Sequence, residues 1–343
     1  MTVETIKDKE TWDRFIDESA GGLLFHKWDF LKITEEHTGY RFFPYGIYKG
    51  EELISVFPLF CRNVHGLKTA FSPPPMQSII PYLGFVMGQE YDTLKQSKKE
   101  SFLKMVSDDI HATLQEFSPS YLSMMLVPDQ LDIRNFIWNQ YSAKVHYTYT
   151  VDLTQPSEEI WNGFHYKLRH KLKKAGQSGM ELHREHDIST VYQAVSDRFS
   201  QPSMNIPMIS RRYFEDLFRA YPDHLAAYNL YDRAGELVGT VTTQEYKRFL
   251  LWMGTPRMDT ASAGNEYLQW LLMLKAKERG FHTLENIGAN TKNLNLFKSK
   301  FGFEITVYLE LYMRNMLGTM AEWVYSNIIN PSRLKRRVVS YIE

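Results

Sequence analysis

Between Gly280 and Gly302 the chain reads Gly280-Phe-His-Thr-Leu-Glu-Asn-Ile-Gly288, then Ala-Asn-Thr-Lys-Asn-Leu-Asn-Leu, then Phe297-Lys298-Ser-Lys-Phe-Gly302. Glycine stops a helix at 280, ends a short apolar strand at 288 and turns a short helix into a last strand after 302. This punctuation fixes a strand–helix–strand finish. Upstream, strands and helices also alternate, which predicts an α/β fold with a mixed sheet in each domain.

A second pattern bears on domain number. Tyr45-Gly-Ile-Tyr-Lys-Gly-Glu-Glu-Leu-Ile-Ser-Val-Phe resembles Tyr228-Asn-Leu-Tyr-Asp-Arg-Ala-Gly-Glu-Leu-Val-Gly-Thr-Val. Each reads as a hairpin with a Gly-containing turn, and each follows an amphipathic helical stretch, around 25–36 and 211–221. Such hairpins also arise by coincidence, but the same order of elements follows both. At 343 residues the chain exceeds the roughly 100–200 of one domain. The expected organisation is a domain over 1–153, a second over 154–316 and a helical tail over 317–343.

Between the halves, residues 157–179 read as one helix with Ser157 as N-cap and Glu158 and Glu159 in the first turn. Trp161, Phe164, Leu168, Leu172 and Ala175 make its buried stripe, and Lys167, Arg169, His170, Lys171, Lys173 and Lys174 its other faces.

Composition narrows the chemistry mainly by exclusion. Lys plus Arg equals Asp plus Glu at 40 each, so overall charge steers neither toward nucleic acid nor away from it. The lone Cys61 rules out an intramolecular disulfide and a cysteine-based zinc site, and reads as a small buried hydrophobe. His183-x-x-His186 lacks the glutamate of a zincin and reads as a solvated pair, so no metal is expected. Nucleophile elbows, Walker loops and Gly-x-Gly-x-x-Gly runs are absent from the sequence. The charged N-terminus and the lack of a long apolar window predict a cytoplasmic chain without a transmembrane segment.

Transfer of an activated acyl group to an amine needs none of these. It needs a neutral amine, an oriented carbonyl and stabilisation of the forming oxyanion. After a predicted strand ending at Gly254, the loop 255–264 contains Ala261, Ser262, Ala263 and Gly264 and enters a helix at Asn265. Small residues let backbone amides approach a ligand, and the helix N-terminus would face a phosphate. Gly254, Ala263, Gly264 and Asn265 are therefore the candidate donor-binding residues. A plain loop capping a buried helix fits the same residues.

The second half resembles the Fem family of peptidyltransferases and related GNAT-fold acetyltransferases. The likeness runs through Trp161…Arg169…Lys174-Ala175…Gly179, Gly264-Asn265…Leu268…Trp270…Ala276-Lys277…Gly280 and Phe297-Lys298…Phe301-Gly302. The first half resembles the family's N-terminal domain through Phe25-His-Lys-Trp28, the hairpin and Val56-Phe-Pro58-Leu. Together these span about residues 20 to 315; order and spacing carry the resemblance rather than any single motif.

The resemblance implies tandem GNAT domains, catalysis in the second and an acceptor cleft between them. It implies Lys298 as a positive charge against the oxyanion and Phe297 as a wall for the acyl group, while a solvated lysine on the short helix fits the same residue. Arg169 is implied as a phosphate contact of donor or acceptor, with Trp28 also on the substrate side. Acyl-coenzyme A is the expected donor and an amine of a small molecule or of an envelope, glycan or peptide precursor the acceptor. Aminoacyl-tRNA is the rival donor, although the inserted pair of long helices common in tRNA-dependent Fem proteins is missing. A GNAT-like protein that only binds is the third reading. The tail carries Arg333-Leu-Lys-Arg-Arg337 and reads as a packed helix with a solvated tip, or as a peripheral contact with lipid headgroups or RNA.

Overall fold

The computed structural model describes residues 1–64, 66–75, 79–200, 209–256, 263–290 and 292–324. Arg257, Ala261, Ser262 and the basic run 333–337 lie outside the described residues. The chain divides into two compact units, one of residues 1–146 and 307–343, the other of residues 147–306.

The first unit begins with β1 (Thr2–Thr5), α1 (Lys9–Glu18) and α2 (Trp28–Thr38), followed by β2 (Arg41–Lys49), β3 (Glu52–Val64) and β4 (Leu67–Ser72). Then come β5 (Val86–Met87), α3 (Glu90–Thr93), α4 (Gln96–Phe117), β6 (Tyr121–Met125) and α5 (Arg134–Trp138). Asp8 starts α1 by accepting the Thr11 amide at 2.8 Å. In α4, Leu103, Val106, Ile110 and Leu114 recur at three- and four-residue steps and bury one stripe against Leu122, Met124 and Leu59 of the sheet. Strand order is β1-β2-β3-β4-β6, with β4 and β6 parallel and β5 beside β3.

Strand β7 (Ser142–Asp152) carries the chain into the second unit. There follow α6 (Ser157–Gly163), α7 (Tyr166–Gly176), β8 (Glu181–Glu185), α8 (Ser189–Phe199), α9 (Arg211–Ala220), β9 (Leu225–Tyr231), β10 (Leu237–Glu245), β11 (Phe249–Pro256), α10 (Gly264–Glu278), β12 (Thr283–Asn286) and α11 (Lys292–Lys298). Strand β13 (Glu304–Arg314) returns to the first unit, where its residues 310–314 pair with β6, and α12 (Met316–Val324) follows. Sheet order is β7-β12-β11-β10-β9-β8, with β11 and β12 parallel. Both anticipated hairpins are present as β2–β3 and β9–β10.

The expected single helix over 157–179 is two. Phe164 turns extended and sinks its ring against Trp270 and Phe301, at 5.3 and 5.4 Å between centroids. His165 then caps α7, its Nδ1 accepting the Lys167 amide at 3.3 Å. Ser157 is the first helical residue instead of the cap. The apolar stripe survives the break, because Phe164, Leu168 and Leu172 all enter the core.

Cys61 is buried, and burial pushes its thiol up to about 12. Among the described residues no helix is long and apolar enough to cross a membrane, and no cluster of His, Cys, Asp and Glu is placed to hold a metal.

Candidate functional site

Strands β11 and β12 run side by side for three residue pairs, Phe249↔Leu284 to Leu251↔Asn286. There β12 ends, whereas β11 continues to Pro256 along β10. The parallel pair thus opens at its C-terminal edge, where ligands collect in α/β sheets. In the β10–β11 ladder, Val241 pairs with Gly254 but Thr243 with Leu251, so β11 carries an extra residue there. Thr242 Oγ1 accepts the Met253 amide at 3.1 Å and donates to the Met253 carbonyl at 3.2 Å. Gly254 is exposed, and a Cβ on it would stand 2.5 Å from the Thr240 carbonyl oxygen. Only glycine lets the bulged strand lie this close.

Helix α10 follows β11 in the chain and begins at Gly264 and Asn265, with Ala263 as an N-cap that offers no side-chain hydrogen bond. Its first amides carry the positive end of the helix dipole. Glu266 in the first turn opposes an anion, and Lys171 of α7 stands 3.7 Å from it. Further along α10, Gln269 Oε1 accepts a 2.5 Å hydrogen bond from Asn286 Nδ2, a buried tie between this helix and the end of β12.

Lys298 is drawn into the opening. Only 4% exposed, its Nζ donates to the carbonyls of Asn286 at 3.1 Å and of Ile287 and Gly288 at 2.5 Å each. Three acceptors match the three N–H groups of an ammonium, whereas a neutral amine has only two. Burial pushes the group down to about 7, with the Glu285 charge pulling the other way. The surrounding loop is pinned as well. The Ile287 amide donates to Leu251 O at 3.4 Å, the Ala289 amide to Tyr147 O at 3.1 Å, and Asn290 Oδ1 accepts the Tyr147 amide at 2.8 Å. Because a peptide is planar and trans, the Gly288 N–H lies antiparallel to the Ile287 carbonyl and so points away from Lys298.

Phe297 is half-buried, its ring edge-on to Phe301 at 5.6 Å. Arg169 sits on α7 and donates from Nη1 to Asn162 Oδ1 at 3.2 Å. The structure therefore sets Gly254 on β11 past the last β11–β12 pair and Lys298 at the end of β12, with α10 tied to that end through Gln269 and Phe297 next to Lys298 in the chain. Trp28 lies in the first unit, where its ring packs against Trp12 and Phe42 at 6.2 and 5.9 Å. His183 is half-exposed on β8.

Sequence reasoning missed Glu285. Its carboxylate is fully buried, accepts from Thr148 Oγ1 at 2.9 Å and stands 3.5 Å from Arg248. The signal was a charged residue inside a four-residue strand otherwise destined for the core. Gln269 was hidden in the same way, as one amide within a nearly apolar helix.

Comparison with known proteins agrees with this geometry. Residues 162–297 match the model of an acetyltransferase (GNAT) domain. The structure is similar to that of FemX, with a TM-score of 0.65 and 12% identity, covering 90% of this chain and 97% of that one. The chain has a Fem-like tandem GNAT fold. It is also similar to L-PGS from Bacillus licheniformis (TM-score 0.54, 14% identity, 92% of this chain and 95% of that one). A tandem GNAT protein from the clavulanic acid biosynthesis pathway gives a TM-score of 0.54 at 10% identity, covering 91% and 98%. A search of curated protein sequences found no match. Together the matched domain over residues 162–297 and the shared fold support a GNAT-type transferase.

Proposed function

We propose that the chain is an N-acyltransferase that takes an acyl group from acyl-coenzyme A and delivers it to an amine of a small molecule or an envelope, glycan or peptide precursor. The observation that carries this reading is the opening between β11 and β12, with α10 tied to the end of β12 through Gln269. A thioester arm fits along the free edge of β11 past Gly254, and its phosphates fit the amides of Gly264 and Asn265.

In this reading Lys298 does two jobs. Its three hydrogen bonds hold the backbone from Asn286 to Gly288, which turns the Gly288 amide outward as a donor to the oxyanion. When protonated, its ammonium favours the developing negative charge across a short, poorly solvated gap. Phe297 walls the acyl group and Arg169 contacts phosphate. As the amine attacks, the carbonyl carbon gains a bond to nitrogen, the thiolate leaves, and the amine proton passes to solvent or to the leaving sulfur.

A Fem-type aminoacyl-tRNA donor is the second reading, favoured by the exposed Lys167, Lys171, Lys173 and Lys174 of α7. Thermal shift with acetyl-coenzyme A and with charged tRNA separates the two. Stabilisation by the coenzyme alone supports the first; stabilisation by tRNA alone replaces it. Binding of the coenzyme without turnover of any amine would leave a GNAT-like binding protein.

A further inference from the structure

Glu285 is a buried acid that the transfer chemistry above leaves unused. On β12 its side chain and that of Asn286 leave opposite faces of the sheet. Asn286 reaches Gln269 of α10, and Glu285, fully buried, turns to the other face. There Thr148 Oγ1 of β7 donates to Glu285 Oε1 at 2.9 Å, and Arg248, just ahead of β11, stands 3.5 Å from Oε2. The same Thr148 hydroxyl lies 3.5 Å from the Asn286 carbonyl, which accepts from Lys298 Nζ at 3.1 Å. One hydroxyl therefore spans the carboxylate and a carbonyl that holds the ammonium. In register, Glu285 pairs with Leu250 of β11, one position before the last pair at the opening.

Charge gives a reason to bury an acid there. An ammonium taken out of water is costly unless a counter-charge compensates it, and otherwise it gives up its proton. The three carbonyls around Lys298 Nζ supply hydrogen bonds but only partial charge. Glu285 is the group whose charge pulls the lysine back toward its protonated form against burial. The other ionisable groups described on the surrounding elements face elsewhere or into water. Tyr149 of β7 gives its hydroxyl to Asn295, Glu266 of α10 faces Lys171 at 3.7 Å, and Tyr147, Lys292 and Lys300 are exposed. Arg248 draws on the same carboxylate from the side of β11, so two cations share one acid.

We propose that Glu285 is a positioning residue for the transfer: its carboxylate is the counter-charge that keeps Lys298 an ammonium, and with Thr148 it steadies the strand end that carries the Lys298 acceptors. The consequence for catalysis rests on the transferase reading above; the tie between the two side chains does not.

The test is NMR titration of Lys298 in the whole chain with isotope-labelled lysine, the signal identified by its loss in Lys298→Arg. Alongside it, the rate of transfer from acetyl-coenzyme A to glucosamine and to glycinamide is followed against pH. The unaltered lysine should titrate at about 7. Glu285→Gln keeps the size of the side chain and an acceptor for Thr148 but removes the charge. It should move the Lys298 midpoint lower by about 1 pH unit or more, with the high-pH limb of the rate following it. Arg248→Gln leaves the carboxylate to Lys298 and should move the midpoint the other way, which tests the tie where Glu285→Gln fails to fold. An acid that only packs predicts an unchanged midpoint in both variants, and that result overturns the proposal. So does a midpoint that moves while the rate keeps its pH profile. Shifts of the expected sign in a chain that transfers no acetyl group would uphold the tie and count against the transferase reading instead.

Discussion

In the first unit the parallel pair β4–β6 ends at Ser72↔Met124, and the chain itself then closes the place where the pair would open. The Leu83 amide donates to Met125 O at 2.9 Å, Ser72 Oγ donates to Pro58 O at 2.7 Å, and Ile80, Tyr82, Leu83 and Phe85 are buried. In the second unit the matching pair β11–β12 parts after Leu251↔Asn286 without such a plug among the described residues, and Lys298 enters in its place. Register makes Ser123 of β6 the counterpart of Glu285 of β12: Phe71 pairs with Ser123 as Leu250 pairs with Glu285. One repeat fills its opening with apolar side chains of its own, and the other lines it with a buried acid, a buried ammonium and backbone. The two units share one strand plan and differ at this edge, and the proposed function takes the second as the donor side.

The largest effect should come from Lys298→Ala, which is expected to lower turnover about a hundredfold, the scale for losing one oxyanion contact, while circular dichroism stays native. Unchanged turnover would remove the asymmetry between the units. Next, Gly254→Val places a Cβ against the Thr240 carbonyl; we expect about 1–3 kcal/mol lost from stability and loss of the acetyl-coenzyme A thermal shift. The corresponding probe of the first unit is Gly84→Ala. Gly84 has φ +65°, and its added Cβ would lie 3.1 Å from Leu126 Cα. It should cost about 1–2 kcal/mol in chemical denaturation yet leave coenzyme affinity unchanged. A lost affinity would show that the first unit contributes to donor binding.

A smaller effect concerns pH. Lys298 falls from 10.5 to about 7 on burial. Below about 7 both folded and unfolded chains carry the charge, and the full cost of burying it is present. Between about 7 and 10.5 the unfolded lysine holds a proton that the folded one has released, so this group makes stability rise with pH. Urea denaturation of Lys298→Met across that range should lack this rise; an identical slope in both proteins would show that Lys298 keeps its ordinary pKa.

The α/β class, the two hairpins and the strand–helix–strand finish were legible because glycines and apolar periodicity act locally. The pairing of Phe297 and Lys298 was legible only through family resemblance, and the burial of Lys298 was not. No neighbouring residue announces it, since its three acceptors are backbone carbonyls ten to twelve positions earlier. The break at Phe164 was hidden for a related reason. An apolar stripe predicts which residues go inward, but it does not say whether the backbone between them stays helical. The return of β13 to β6 depends on contacts between residues nearly 190 positions apart, such as Ser123 Oγ donating to Glu310 Oε1 at 2.8 Å.

Hydrogen–deuterium exchange with and without acetyl-coenzyme A tests the asymmetry most directly. The account predicts added protection at residues 251–256, 264–268 and 286–290, with none at 70–72, 82–85 and 122–127. Protection confined to the first unit's segments, or absent from both, would contradict it.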